Sequence, residues 1–139
     1  MTVQTYDLVY PMLALFCWTF LIMLRNVQVR VRAVLKGELT NEYFELFRGP
    51  EPPEEVLKTG NNLRNLSEFP PLFYVAALAI MVTARTDAVF IALAWSYVAL
   101  RIGHSMVHLT FNKVPVRFFL FILSNAVLLV IWIRLGVLV

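Results

Sequence analysis

The sequence has little charge. Only 15% of its 139 residues are charged, and 60% are hydrophobic, whereas an ordinary soluble domain has about 25% charged residues. Residues 118–139 contain one charged side chain, Arg134. Because an apolar stretch of that length is typical of a membrane span, the composition argues against a soluble domain and predicts an integral membrane protein.

Several other features are missing. The single cysteine, Cys17, lies in an apolar run, which excludes intrachain disulfides and cysteine-based zinc sites. Neither a G-x-G-x-x-G motif nor a P-loop is present, so nucleotide chemistry is not indicated. The net charge is only +3 and the basic residues are not interleaved with aromatic ones, so we expect no nucleic acid partner. A cleavable signal peptide is also not indicated, because no basic residue precedes the first apolar run.

What the sequence does contain is four apolar stretches. At 1.5 Å per residue, the third would reach about 36 Å, enough to cross a hydrocarbon core of about 30 Å. We therefore predict an all-α fold, a single membrane domain built as a four-helix bundle, with a kink at Pro70-Pro71 in the second helix. The predicted spans are about 8–24, 61–84, 88–111 and 116–139, and the long loop is 25–60.

The distribution of lysine and arginine predicts the orientation. An even number of spans puts both termini on one side, and most basic residues lie on the other. Arg85 and Arg134 are the only basic residues near the side of the termini. Cytoplasmic loops carry the excess of Lys and Arg, so we expect the long loop in the cytoplasm and the termini outside. The basic residues at the loop side are Arg25, Arg30, Arg32, Lys36, Arg48, Lys58, Lys113 and Arg117.

Polar residues interrupt the second and third spans with helical spacing. Charged groups at mid-bilayer cost roughly 2.5 to 3.5 kcal/mol and usually face a protein interior and carry function. The predicted topology brings the two polar faces to the same side of the membrane, where Arg117 begins the fourth helix. The faces are Asn61, Arg64, Asn65 and Glu68 on the second helix, and Arg101, His104, Ser105 and His108 on the third.

The charges in these faces favour an anionic ligand. Arg64 and Arg101 outnumber Glu68, and Arg117 and Arg30 add to the surplus; arginine binds carboxylates through two parallel hydrogen bonds. We expect Glu68 to contact Arg101 or an arginine of a neighbouring helix. The alternative is that Arg64 and Glu68 pair along one helix and Arg101 extends to the interface. Since two histidines one turn apart do not complete a metal site, none is predicted.

Three segments resemble the motifs of the MAPEG family, membrane-associated proteins in eicosanoid and glutathione metabolism. They are Arg64-Asn65-Leu66-Ser67-Glu68-Phe69-Pro70, Arg101-Ile102-Gly103-His104-Ser105 and Lys113-Val114-Pro115-Val116-Arg117. Gln28-Val29-Arg30-Val31-Arg32 is similar to the same enzymes. The resemblance covers nearly the whole chain.

The resemblance implies a homotrimer that binds glutathione between protomers near the cytoplasmic face. Arg30 would reach the tripeptide from the adjacent subunit, and Arg117 would lie near the sulfur as the catalytic residue. A thiolate formed beside a cation would attack a lipophilic electrophile or a lipid hydroperoxide from the bilayer. The ligand-binding set is Arg30, Asn61, Arg64, Asn65, Glu68, Arg101, His104 and His108.

Three positions depart from the family pattern. Asn61 stands where the family usually has a basic residue, and His108 stands where it has tyrosine. Phe118 replaces the serine of the prostaglandin synthase, which argues against that isomerase activity. The leading hypothesis is a glutathione-dependent enzyme of a bacterial inner membrane with a lipophilic small-molecule substrate. The alternatives are a non-catalytic membrane scaffold or accessory subunit, and a protein that binds lipid headgroups.

Overall fold

The computed structural model describes residues 4–139, and all regular secondary structure in this part is helical. A 3-10 turn over Thr5–Leu8 leads into the first helix. Because α3 and α4 follow one another end to end, four helical segments are long and apolar enough to cross a membrane, which confirms the predicted all-α membrane bundle. The helices are α1 (Val9–Leu35), α2 (Asn41–Leu46), α3 (Glu54–Glu68), α4 (Pro70–Val82), α5 (Ala88–Leu109) and α6 (Val114–Leu138).

The helices at the long loop extend beyond the predicted spans. α1 continues from Leu24 to Leu35, and α3 begins at Glu54, so the loop expected over 25–60 is reduced to residues 36–53. Residues Asn26, Val29 and Ala33 form a buried stripe on this extension, as in an amphipathic helix. The prediction from hydropathy ended the span at Leu24, where the apolar run ends. The helix itself continues to Leu35 through the residues of this stripe.

The expected kink in the second span is a break at Phe69. Pro70 and Pro71 have no backbone N–H, so they cannot donate the hydrogen bonds that would continue α3. Proline is well tolerated in the first turn of a helix, and α4 starts with this pair. One predicted span is thus two helices.

The interior of the bundle changes along its length. At the end that carries both termini, the terminal end, Phe73 of α4 stacks on Tyr97 of α5 with ring centroids 4.7 Å apart, and the core is otherwise almost entirely aliphatic or aromatic. At the opposite end, the loop end, α2 closes a small cluster over α1 and α3. This cluster contains Val29, Ala33, Leu39, Tyr43 and Val56. Between the two lies a layer of buried polar side chains.

At the terminal end, Asp87 joins α5 to α6. Its carboxylate accepts a hydrogen bond from the Phe90 amide at 2.9 Å, which caps α5. Arg134 of α6 donates two bonds to the same carboxylate, at 3.1 and 2.7 Å. These bonds from Arg134, followed by that from Phe90, hold the pKa of Asp87 below its ordinary value.

We expect Asp87→Asn to lower the free energy of unfolding by about 0.5–1 kcal/mol, because a half-exposed ion pair is lost while the cap is kept. Asp87→Ala also removes the cap and should cost about 1 kcal/mol more. Because the folded pKa lies below the unfolded value of about 3.9, the wild type has this contribution above about pH 4 and loses it at lower pH. Thermal unfolding of both variants at pH 7 checks the order; equal losses would contradict it.

Candidate functional site

The polar layer binds α3 to its neighbours. Three α3 side chains at three-residue spacing each meet a polar group of another helix, and such buried groups require partners. The inner face of α3 is therefore fixed by hydrogen bonds instead of apolar packing alone. The bonds run from Asn26 Nδ2 to Thr59 Oγ1 at 3.1 Å, from Asn62 Nδ2 to Ser105 Oγ at 2.7 Å, and from Arg101 Nη2 to Asn65 Oδ1 at 2.7 Å.

Sequence reasoning missed Asn62, which is fully buried. It selected Asn61, the neighbour on the exposed side. Adjacent residues of a helix lie about 100° apart, so both cannot share one face. The spacing of Thr59, Asn62 and Asn65 was the available signal for the inner face.

Arg101 fixes the orientation of Asn65. The arginine is fully buried, and its Nη2 donates to both the backbone oxygen and the side-chain oxygen of Asn65, each at 2.7 Å. Since the amide oxygen is occupied by Arg101, the Nδ2 donor of Asn65 is the end left for a ligand. Arg101 Nε and Nη1 have no protein partner, and its Cζ lies 5.7 Å from the Phe121 ring.

The prediction that Glu68 contacts Arg101 or an arginine of a neighbouring helix is wrong within the protomer. Glu68 accepts a hydrogen bond from Arg64 Nε at 3.1 Å, one turn away on the same helix. Arg101 packs against the inner side of α3, whereas Asn61, Arg64 and Glu68 lie on its exposed side. The Arg64 side chain is 80% exposed.

The first cleft, which we call the Arg30 cleft, lies between α1, α2 and α3. It has a volume of about 350 Å³ and contains Arg30, Asn61 and Arg64 among aromatic and aliphatic side chains. The Arg30 Cζ lies 5.3 Å from the Phe44 ring and 5.7 Å from the Phe47 ring, within the range of cation–π attraction. Among the described residues, Arg30 forms no ion pair.

The second cleft, the Arg117 cleft, lies where α3, α5 and α6 meet. It has a volume of about 200 Å³ and brings together Asn65, His104 and Arg117. The remaining wall is apolar, from Val114, Phe118 and Phe121. This arrangement offers a donor, an imidazole and a cation beside an apolar surface.

Hydrogen bonds around Arg117 define its position. His104 Nδ1 lies 2.9 Å from the Arg117 backbone oxygen. Arg117 Nη1 contacts His108 Nε2 at 3.2 Å and Asn112 Oδ1 at 2.8 Å. Asn112 was not predicted, because it lies in the short α5–α6 turn outside both polar faces.

The predicted site residues thus separate into groups. Arg30, Asn61 and Arg64 line the first cleft; Asn65, His104 and Arg117 line the second. Arg101 and His108 are buried behind the second cleft, and Glu68 lies on the exposed side of α3. Among residues 4–139, no group of three or more histidine, cysteine or acidic side chains could hold a metal ion.

Comparison with known proteins agrees with this architecture. The model of the MAPEG family matches residues 8–137. No curated protein and no solved structure matched the chain. Because the family match covers nearly the entire sequence and four helices can cross a membrane, this multi-pass integral membrane protein belongs to the MAPEG family.

Proposed function

We propose that the protein is a glutathione-dependent membrane enzyme that conjugates lipophilic electrophiles or reduces lipid hydroperoxides. Family membership supports a membrane protein of glutathione or eicosanoid metabolism. The observation that carries the finer proposal is the polar, exposed side of α3, which lies between two cationic clefts.

This side of α3 is a poor surface for lipid. Counted back from Val82, the end of α4, about 20 residues of hydrocarbon-spanning helix reach Leu63. Arg64 then lies at the membrane edge and Glu68 about 7 Å inside it. Charged side chains at such depth are normally covered by protein or an aqueous cavity. We infer that copies of the chain cover it as a homotrimer, with the loop end in the cytoplasm.

The charges match glutathione, which has two carboxylates and one amine. Arg30 and Arg64 can bind carboxylates, and Glu68 can bind the amine through charge-assisted hydrogen bonds. Because the two clefts are separate in one protomer, a ligand between protomers would take the Arg30 cleft of one subunit and the Arg117 cleft of its neighbour. This division supports a site shared by two subunits.

The Arg117 cleft supplies the chemistry of the proposed reaction. Arg117 lowers the pKa of a thiol placed beside it, because a nearby cation favours the thiolate. The thiolate then attacks an electrophilic carbon, forming a C–S bond while a leaving group departs or a double bond opens and takes up a proton. With a lipid hydroperoxide it attacks the terminal peroxide oxygen and breaks the O–O bond, which gives glutathione sulfenic acid and, after protonation, the lipid alcohol. A second glutathione then converts the sulfenic acid to glutathione disulfide and water. Val114, Phe118 and Phe121 give that lipid an apolar wall, so its reactive group can approach from the bilayer.

Glutathione binding tests the proposal. With a micromolar dissociation constant, millimolar glutathione should stabilise the detergent-purified protein by about 4 kcal/mol. Arg30→Gln should reduce this stabilisation, whereas Arg85→Gln, which removes an exposed arginine at the terminal end, should not. Equal stabilisation of all three proteins would place the ligand away from the Arg30 cleft, and no stabilisation of the wild type would refute the proposal.

Asn61→Arg should tighten glutathione binding by about ten- to a hundredfold, because a charged hydrogen bond contributes about 1.5–3 kcal/mol. The new cation would join Arg30 and Arg64 in one cleft and bind a carboxylate. Calorimetric titration of the variant and wild type measures the change. Weaker binding would show that Asn61 already contributes a contact that arginine cannot replace.

A further inference from the structure

Arg117 is a half-buried cation held by neutral groups. Its Nη1 contacts the His108 ring nitrogen at 3.2 Å and the Asn112 amide oxygen at 2.8 Å. Within the described part of the chain, Arg117 forms no ion pair. His108 and Asn112 both contact Nη1, so Nη2 and Nε remain available to a ligand. Because both partners are neutral, the positive charge is not compensated.

The contacts determine which ring nitrogen of each histidine accepts or donates. Guanidinium nitrogens only donate hydrogen bonds, so His108 Nε2 accepts and carries no proton. A backbone oxygen only accepts, so His104 Nδ1 donates to Arg117 O. His108 is therefore neutral with its proton on Nδ1, and His104 also carries a proton on Nδ1. His108 holds the Arg117 guanidinium, and His104 holds the Arg117 backbone.

We propose that His108 is a positioning residue that aims the Arg117 guanidinium at an anion in the Arg117 cleft, and that it does so only while its imidazole is neutral. The inference rests on the proposed function and specifies how that site is kept cationic. A carboxylate in the place of His108 would also hold Arg117 but would neutralise it. An imidazole holds it and leaves the charge for the thiolate.

Protonation of His108 would reverse the contact. Nε2–H would then face a donor of Arg117, and two cations would lie 3.2 Å apart. The other charged or titratable groups near the ring are Lys58 of α3, whose Nζ lies 3.5 Å from the Thr110 oxygen and is paired with Glu54 at 2.7 Å, and His104, which lies one turn away on α5 with ring centroids 6.1 Å apart. Because Glu54 is already paired with Lys58, it does not offset the repulsion between a protonated His108 and Arg117. Arg117 would have to leave its position, and anion affinity would fall with it.

The experiment uses glutathione sulfonate, whose permanently charged sulfonate replaces the thiolate and does not titrate. At pH 7.5, His108→Gln keeps a neutral acceptor and should bind the sulfonate within about threefold of wild type. His108→Leu removes the acceptor and should bind about tenfold more weakly. Equal affinities of the Gln and Leu variants would overturn the proposal.

The pH profile separates positioning from general structural support. The sequence has only two histidines, and ¹⁵N spectra of ring-labelled protein, assigned with His108→Gln, show where each takes up a proton. Wild-type affinity for the sulfonate should fall in step with protonation of His108, by about tenfold per pH unit below its pKa, and the Gln variant should lack this fall. Undiminished wild-type affinity with a protonated His108 would overturn the proposal.

A second variant tests the role of neutrality. Asn112→Asp keeps the size of the side chain that accepts from Nη1 but replaces its amide by a carboxylate. Because the carboxylate neutralises Arg117, this variant should bind the sulfonate more than tenfold more weakly. Failure of the wild type to bind glutathione would refute the proposed function alone. The ¹⁵N spectra still judge the inference in that case, because an Nε2-protonated His108 in the neutral ring would contradict the contact with Arg117.

Discussion

Arg101→Met should leave the bundle folded and weaken glutathione binding by about ten- to a hundredfold. Arg101 has no acidic partner among the described residues, and two of its nitrogens have no protein partner. Replacing a buried charge by an apolar side chain of similar length is often neutral or stabilising. The affinity should nevertheless fall, because Asn65 loses the bond from Arg101 to Oδ1 that orients its amide towards the Arg117 cleft, together with the bond to its backbone oxygen.

Arg134→Met is the matched control for this change. Arg134 is bound to Asp87 at the terminal end, far along the bundle from both clefts, so its loss should lower the unfolding temperature and leave the affinity unchanged. Unfolding temperature and calorimetric titration are measured for both variants. Wild-type affinity in Arg101→Met would show that Asn65 does not depend on Arg101.

The second large effect is expected when the charged pair on the exposed side of α3 is made apolar. Arg64→Leu with Glu68→Leu should abolish glutathione binding and reduce the fraction of trimer measured by mass in detergent. If this side faced lipid, the same change would favour membrane insertion, because charged side chains in contact with the hydrocarbon region are costly. The two arrangements therefore predict opposite changes in stability.

Lys36→Leu with Glu38→Leu gives a control of the same size and charge. This pair, 3.9 Å apart, lies in the loop after α1, where neither cleft includes it. Its removal should change neither mass nor glutathione binding. A more stable monomeric Arg64/Glu68 variant would contradict the proposed trimer.

Much of the fold could be predicted because few kinds of backbone structure can cross a membrane. Four apolar stretches predicted four membrane-crossing segments, and Pro70-Pro71 predicted the disturbance at Phe69. The ends of α1 and α3 could not be predicted from hydropathy, since Asn26, Val29 and Ala33 continue the helix in a mixed sequence. A weak amphipathic stripe adjoining a strong apolar run is easily overlooked.

The sequence did not predict how the candidate side chains are paired. Helical spacing grouped Asn65 with Glu68, although Asn65 binds inward to Arg101 and Glu68 lies on the exposed side. The partner of each side chain depends on how far α3 is rotated against α5. Contacts between residues distant in sequence, such as that of Asn62 with Ser105, accompany this rotation. No local pattern contains this information.

The break at Phe69 divides one membrane crossing into two helices that can move separately. α4 is embedded in the apolar core through Phe73, Ala76 and Ile80, whereas α3 carries the polar side chains next to both clefts. Because no backbone hydrogen bond can be donated by Pro70 or Pro71, a small tilt of α3 need not strain α4. A ligand can thus move α3, the half of the crossing at the loop end, while α4, the half at the terminal end, keeps its position.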